Sequence, residues 1–92
     1  MKHPPFPDCR VFTLEEFPYT YVNEADTTWN RVTTTYGDCF IWCFDTQGCY
    51  TFFFDGNLNM CKLYTHCGTN CALLYTGYSN QRVFIRRCHD RK

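Results

Sequence analysis

The sequence predicts a small, disulfide-rich α+β domain: an antiparallel sheet with one helix stapled to it. Three observations carry that prediction. The chain has eight cysteines in 92 residues. It has one capped helix start, at Thr35. Short aromatic or β-branched runs, separated by turn residues, lie on both sides of that helix. A chain of this length buries a limited core, and disulfides commonly supply the missing stability. An even cysteine count also lets every thiol find a partner. An oxidising, secreted setting is therefore expected, against the competing reading of a cytosolic chain with free or zinc-bound thiols.

The first eight residues, Met1-Lys-His-Pro-Pro-Phe-Pro-Asp8, form a polar, proline-rich lead without the apolar stretch of a secretion signal. A mature or recombinant chain whose signal has been removed is the expectation. The domain proper is expected over 9–88, with a basic tail at 89–92. No apolar run approaches the roughly 18 residues of a membrane span. No Asn-X-Ser/Thr sequon occurs.

Cys9-Arg-Val-Phe-Thr-Leu14 reads as the first strand, with Pro18 ending that region. Tyr19-Thr-Tyr-Val22 reads as a second strand, followed by a polar loop from Asn23 to Thr28, and Trp29 to Val32 as a third. Thr35-Tyr-Gly-Asp38 has the form of a helix start, with Thr35 as cap and an acid placed to suit the helix dipole. The helix should run to about Thr46 and stop before Gly48, whose lack of a Cβ suits a left-handed cap. Being apolar nearly all round, it should be largely covered, with Phe40 and Phe44 stacked one turn apart and with room for one exposed aromatic patch.

Tyr50–Phe54 and Met60–Tyr64 read as a hairpin around the loop Asp55-Gly-Asn-Leu-Asn59. Leu73–Tyr75 is a brief strand, Gly77–Asn80 a turn, and Gln81–Cys88 the closing strand.

Cys39 and Cys43, four apart, share one helix face. Cys49 lies just past Gly48, and Cys61 lies in the hairpin's second arm. Eight cysteines permit about a hundred connectivities, among which spacing does not choose. This order of elements resembles the PAN/apple family, whose core is a helix with two cysteines, a cysteine just after it, an aromatic strand and a Cys-x-Leu strand. The matching residues here are Asp38-Cys39-Phe-Ile-Trp-Cys43, Gly48-Cys49-Tyr-Thr-Phe52 and Cys61-Lys-Leu63, and the likeness spans roughly residues 8–89.

The resemblance implies nested bridges Cys43–Cys49, Cys39–Cys61 and Cys9–Cys88. It leaves Cys67 and Cys71 to each other, a departure from the six-cysteine form. It further implies an extracellular binding domain for proteins or carbohydrates, of adhesion or inhibitory type, with no chemistry of its own. A narrower likeness is to leech salivary antiplatelet proteins, which share an aromatic-rich segment after the first cysteine, here Cys9-Arg-Val-Phe12. In the loop-entropy picture the outer bridge contributes roughly 4–5 kcal/mol and a tiny loop such as Cys67–Cys71 much less.

Composition narrows the function classes. The chain is neutral overall, but residues 82–92 carry a net +4 and the first 81 a net −4. A basic end can attract an anionic partner, whereas overall neutrality gives nucleic-acid binding little support. The single serine, Ser79, sits in a turn without a nucleophile motif. Cys–His catalysis needs a free thiol that an even count disfavours. Zinc could draw on His66, Cys67, Cys71 and His89, but disulfides explain all eight thiols, so neither a metal nor another cofactor is expected.

Nine Phe, seven Tyr and two Trp are more than one small domain fully covers. Phe12, Phe40, Phe44, Phe52 and Phe84 are assigned to the core. Tyr19, Tyr21, Tyr64, Tyr75 and Tyr78 are assigned to an amphipathic surface. Tyrosine with arginine is the composition of contact hot spots. Tyr75, Tyr78, Arg82, Arg86 and Arg87 are therefore the expected ligand-binding set, with the turn at 77–80 bringing Tyr75 beside the last strand. Arg82 and Arg86 should share one strand face and Arg87 the other. The alternative locations are the aromatic helix and the Asp55–Asn59 loop. The partner expected is an extracellular protein or glycan. The alternative function is a structural subunit self-associating through aromatic surfaces and strand edges.

Overall fold

A computed structural model describes residues 11–24 and 29–89. The proline-rich lead, Cys9 and with it the outer Cys9–Cys88 pair, part of the Asn23–Thr28 loop, and the tail beyond His89 lie outside the described residues. Seven strands and one helix follow in the order β1 (Phe12–Pro18), β2 (Thr20–Val22), β3 (Trp29–Val32), α1 (Tyr36–Asp45), β4 (Thr51–Asp55), β5 (Met60–Tyr64), β6 (Leu73–Tyr75) and β7 (Gln81–Cys88). β1, β7, β4, β5 and β3 form one antiparallel sheet in that spatial order, and β2 pairs with β6 in a second. Among the described residues no helix is long and apolar enough to cross a membrane.

α1 starts where Thr35, in extended conformation, accepts a hydrogen bond on its side chain from the Asp38 amide at 3.1 Å. A cap of this kind is worth about 1 kcal/mol. The helix ends at Thr46, whose hydroxyl donates to the Trp42 carbonyl at 2.7 Å, and Gly48 at φ +84° turns the chain back. Cys49 is thereby delivered to Cys43, and the helix is tied to β5 by Cys39–Cys61. Cys67 and Cys71 close the small loop before β6. No described cysteine is free.

The five-stranded sheet is covered on both faces, which explains why Phe52, Phe53 and Phe54 are all buried. Phe52, Phe54, Cys61, Leu63 and Phe84 point to the helix side, against Cys39, Cys43 and Cys49. There Phe84 lies parallel between Tyr36 and Phe52, with ring centroids 5.2 and 4.9 Å away. Phe53, Tyr64, Val83 and Ile85 point to the opposite face, where Val22 from β2 and Cys71 close a second cluster. Tyr21 meets Phe53 edge-on at 5.1 Å. Alternation along the central strands β4 and β7 thus feeds two cores instead of one core and solvent.

Three expectations are corrected. The helix is not covered all round: Cys39 and Cys43 are buried, but Tyr36, Ile41 and Phe44 are exposed, so Phe44 is not a core residue. Its ring lies 5.9 Å from Phe40 and 6.0 Å from Phe12 at the rim of the helix–sheet contact. Tyr64 is fully buried rather than on the surface, because its strand face looks into the second cluster. β6 pairs with β2 rather than lying beside β7, whose two neighbours are β1 and β4.

The Tyr64 hydroxyl is buried without a hydrogen-bond partner among the described residues. Burial holds its pKa well above the ordinary phenolic value, with Tyr21 and Glu24 adding to the effect. An unpaired buried hydroxyl carries a desolvation penalty of about 1–3 kcal/mol. Tyr64→Phe should therefore leave stability unchanged or raise it by about 1 kcal/mol, read as a higher midpoint in chemical denaturation. A loss above that size would mean that the hydroxyl has a partner in solution.

Candidate functional site

The basic strand β7 does not present three free cations. Arg82 forms an ion pair with Glu16 at 3.2 Å, and Arg87 with Glu15 at 2.8 Å. Both acids come from β1, the strand paired to β7 on that side. The acid pair Glu15-Glu16, facing the arginines across an antiparallel register, is the partner that sequence reading missed. These half-exposed pairs contribute little stability, but they neutralise the strand as an anion-binding surface.

Arg86 is corrected outright as a contact residue, since it is only 6% exposed. Its Nη1 donates to the Cys49 carbonyl at 2.8 Å. Its guanidinium lies 4.8 Å from the Phe44 ring centre, 5.1 Å from Phe12 and 5.3 Å from Tyr50. Burial lowers its pKa from the usual arginine value, and Tyr50 works in the other direction. Arg86 shares its strand face with Phe84, the face that the helix covers. An arginine in a cage of rings is a fold element that also anchors the segment after α1.

The two tyrosines of the expected set do reach the surface together with a third. Tyr75 is 73% and Tyr78 62% exposed, and Tyr19 is exposed beside Tyr75. The Tyr19 and Tyr75 ring centroids are 6.2 Å apart. Tyr19 adopts φ +59°, a left-handed conformation that is uncommon for a bulky residue. This turn aims the Tyr19 carbonyl at the β6–β7 loop, where it accepts from the Thr76 amide at 2.7 Å and the Gly77 amide at 3.2 Å. The Thr76 hydroxyl meets Gln81 Oε1 at 2.8 Å and accepts from the Tyr78 amide. Gly77 itself is left-handed, with φ +81°, so a side chain there would be strained.

The far side of this loop is held by Asp55. Its carboxylate accepts from Asn80 Nδ2 at 2.8 Å and from the amides of Asn57 and Leu58 at 2.9 and 3.1 Å. Burial works to raise the Asp55 pKa, but the hydrogen bonds from Asn80, Leu58, Asn57 and Gln81 outweigh it and leave the group below the usual carboxylate value. The Gly56 amide adds a bond to the Asn80 carbonyl at 2.8 Å. Three exposed tyrosines are thus set on a loop pair bonded at both ends. Such rings offer large, partly apolar contact area with little side-chain entropy to lose.

The residues considered for zinc are placed differently. The Cys67 and Cys71 sulfurs are joined to each other. His66 Nε2 lies 3.8 Å from Glu24 Oε1, while the other Glu24 oxygen accepts from the Ala72 amide at 2.6 Å. His89 Nε2 is 2.7 Å from the Thr13 hydroxyl. Arg87 and His66 instead line a groove with Tyr50, Thr69 and Asn70.

No family model matches this sequence, and no curated protein and no solved structure matches it.

The two arginines of one strand face should behave in opposite ways. Arg86→Ala empties a ring-lined buried position and should cost about 2–4 kcal/mol of stability. Arg82→Ala removes a surface ion pair and should stay within about 0.5 kcal/mol of the parent. Urea denaturation of the two variants checks this; equal effects would mean that Arg86 is not caged in solution.

Proposed function

We propose that this chain is a secreted, noncatalytic binding module of PAN/apple type that holds an extracellular protein partner on the Tyr19–Tyr75–Tyr78 platform. The observation that carries the reading is the exposed tyrosine cluster, set in place by a left-handed Tyr19. A left-handed non-glycine residue is unfavourable by about 1–2 kcal/mol. Strain of this kind persists where the surrounding structure over-determines local geometry, and it clusters at functional sites. Tyrosine is also enriched among residues that dominate protein contacts. The disulfide-bonded cysteines support an extracellular setting, because such bridges persist in oxidising compartments. The helix tied to the β4–β5 hairpin supports the PAN/apple likeness, through Cys39–Cys61 and Cys43–Cys49.

The ion-paired state of Arg82 and Arg87 favours an aromatic contact over an electrostatic one. A partner found in a screen of extracellular proteins and glycans should therefore bind with little dependence on salt. Tyr75→Ala and Tyr78→Ala should each weaken that partner roughly tenfold or more, in line with hot-spot losses above about 1.4 kcal/mol. Both should leave stability within about 0.5 kcal/mol, since the side chains are exposed. Surface plasmon resonance and denaturation on the same variants read the two effects separately. Unchanged binding in both variants would move the contact elsewhere, and hits confined to glycans would overturn the protein partner.

A further inference from the structure

Among the described residues the five-stranded sheet ends at β3, which pairs with β5 on one side only. All four residues of β3 are exposed, with Trp29 at 55% and Val32 at 68%. The Thr33 amide donates to the Asn59 carbonyl at 2.8 Å. Backbone groups alternate sides along a strand, so those of Trp29, Arg31 and Thr33 face β5 and those of Asn30 and Val32 face out of the sheet. Native edges are commonly blunted by a projecting lysine, a proline or a bulge. β3 has no lysine or proline, and its register with β5 runs unbroken from Trp29 to Val32. Its one charge, Arg31, is folded back with its guanidinium 4.0 Å from the Trp42 ring centre.

Beside this edge runs a groove of about 490 Å³, into which α1 presents Asp38, Ile41, Trp42 and Asp45. These positions lie three, four and seven apart, on one helix face. Asp45 occupies the negative end of the helix dipole, where a carboxylate is unfavourable, and no basic residue occupies that last turn. The surface thus carries a cation, two acids and exposed aromatic and aliphatic side chains within one patch.

We propose that two copies of this chain associate through β3, antiparallel about a two-fold axis at Asn30, with Trp29 of each copy against Arg31 of the other. The register follows from chemistry. Pairing centred on Arg31 sets like charges directly opposite, which is destabilising. Pairing centred on Asn30 joins the outward amide and carbonyl of each Asn30 to those of its mate. Trp29 and Arg31 are two apart and share a face, so this register places each Arg31 between Trp42 of its own chain and Trp29 of the other copy. Cation–aromatic contacts of this kind strengthen on desolvation. Asp38 and Asp45 supply the negative charge that two arginines near one axis require. The patch is self-complementary, and an isologous contact closes at two copies. A strand of four residues makes a small interface, so association belongs to the weak end of specific contacts.

The chain's two tryptophans, Trp29 and Trp42, both lie here, so their emission reports on the contact. Sedimentation of the intact protein from micromolar to millimolar concentration should show a mass rising to twice that of the chain. Tryptophan emission should shift over the same range. Asn30→Pro removes an outward donor while leaving the β5 ladder bonds of Trp29 and Arg31 in place, and should be monomeric throughout. Trp29→Ser alters an exposed side chain and should raise the dimer dissociation constant at least tenfold; it keeps the test decisive if the proline variant fails to fold. Tyr75→Ala should dimerise like the parent, which separates this contact from the tyrosine platform. A parent that stays monomeric, a dimer that survives Trp29→Ser, or open-ended oligomers would each overturn the proposal.

Discussion

The Cys39–Cys61 bridge is the constraint on which the rest of the molecule depends. It fixes the buried face of a short helix to the second arm of a hairpin, and both sulfurs lie in the first hydrophobic cluster. A ten-residue helix is marginal alone in water. Held by this bridge and by Cys43–Cys49, it covers Phe52, Phe54 and Phe84 and leaves the opposite sheet face to β2 and β6. The 22-residue separation of Cys39 and Cys61 corresponds to roughly 3 kcal/mol of loop entropy removed from the unfolded chain. Two thin cores of a 92-residue chain need that contribution.

With both faces of the main sheet covered, surface for recognition is left at loops and edges. The tyrosine platform occupies the first and β3 the second. They differ in how they are held. Tyr19, Tyr75 and Tyr78 rest on backbone hydrogen bonds and on Asp55, which stabilises the loop from within. β3 rests on one neighbouring strand and on Arg31 lying across Trp42. The first is a preset aromatic surface, whereas the second is an unsatisfied sheet edge. The two proposed contacts do not overlap, and a two-copy assembly would present both tyrosine clusters.

Local chemistry made most of the fold legible. Thr35 and Gly48 bracket the helix, the Asp55–Asn59 turn joins the hairpin, and β3, β5, β6 and β7 lie where their side chains indicated. What the sequence concealed is the second covered face. Period-two alternation says which residues share a face, but not whether the other face meets solvent. Alternation alone therefore puts Tyr64 outside and Arg86 on the contact surface, although each points into a covered face. Pairing of β2 with β6 joins segments about fifty residues apart, which no local pattern announces. The strained Tyr19 had a visible cue in the preceding Pro18. Its carbonyl bond to the β6–β7 loop had none.

Disulfide mapping of the native protein, by digestion without reduction followed by mass spectrometry, tests the helix–hairpin staple most directly. Cys39 should be found joined to Cys61 and Cys43 to Cys49, with Cys67 joined to Cys71, and these three bridges lower the intact mass by about six daltons relative to the reduced chain. Cys39 or Cys61 recovered as a free thiol, or either one joined to a different cysteine, would contradict the architecture on which the platform and the edge both rest.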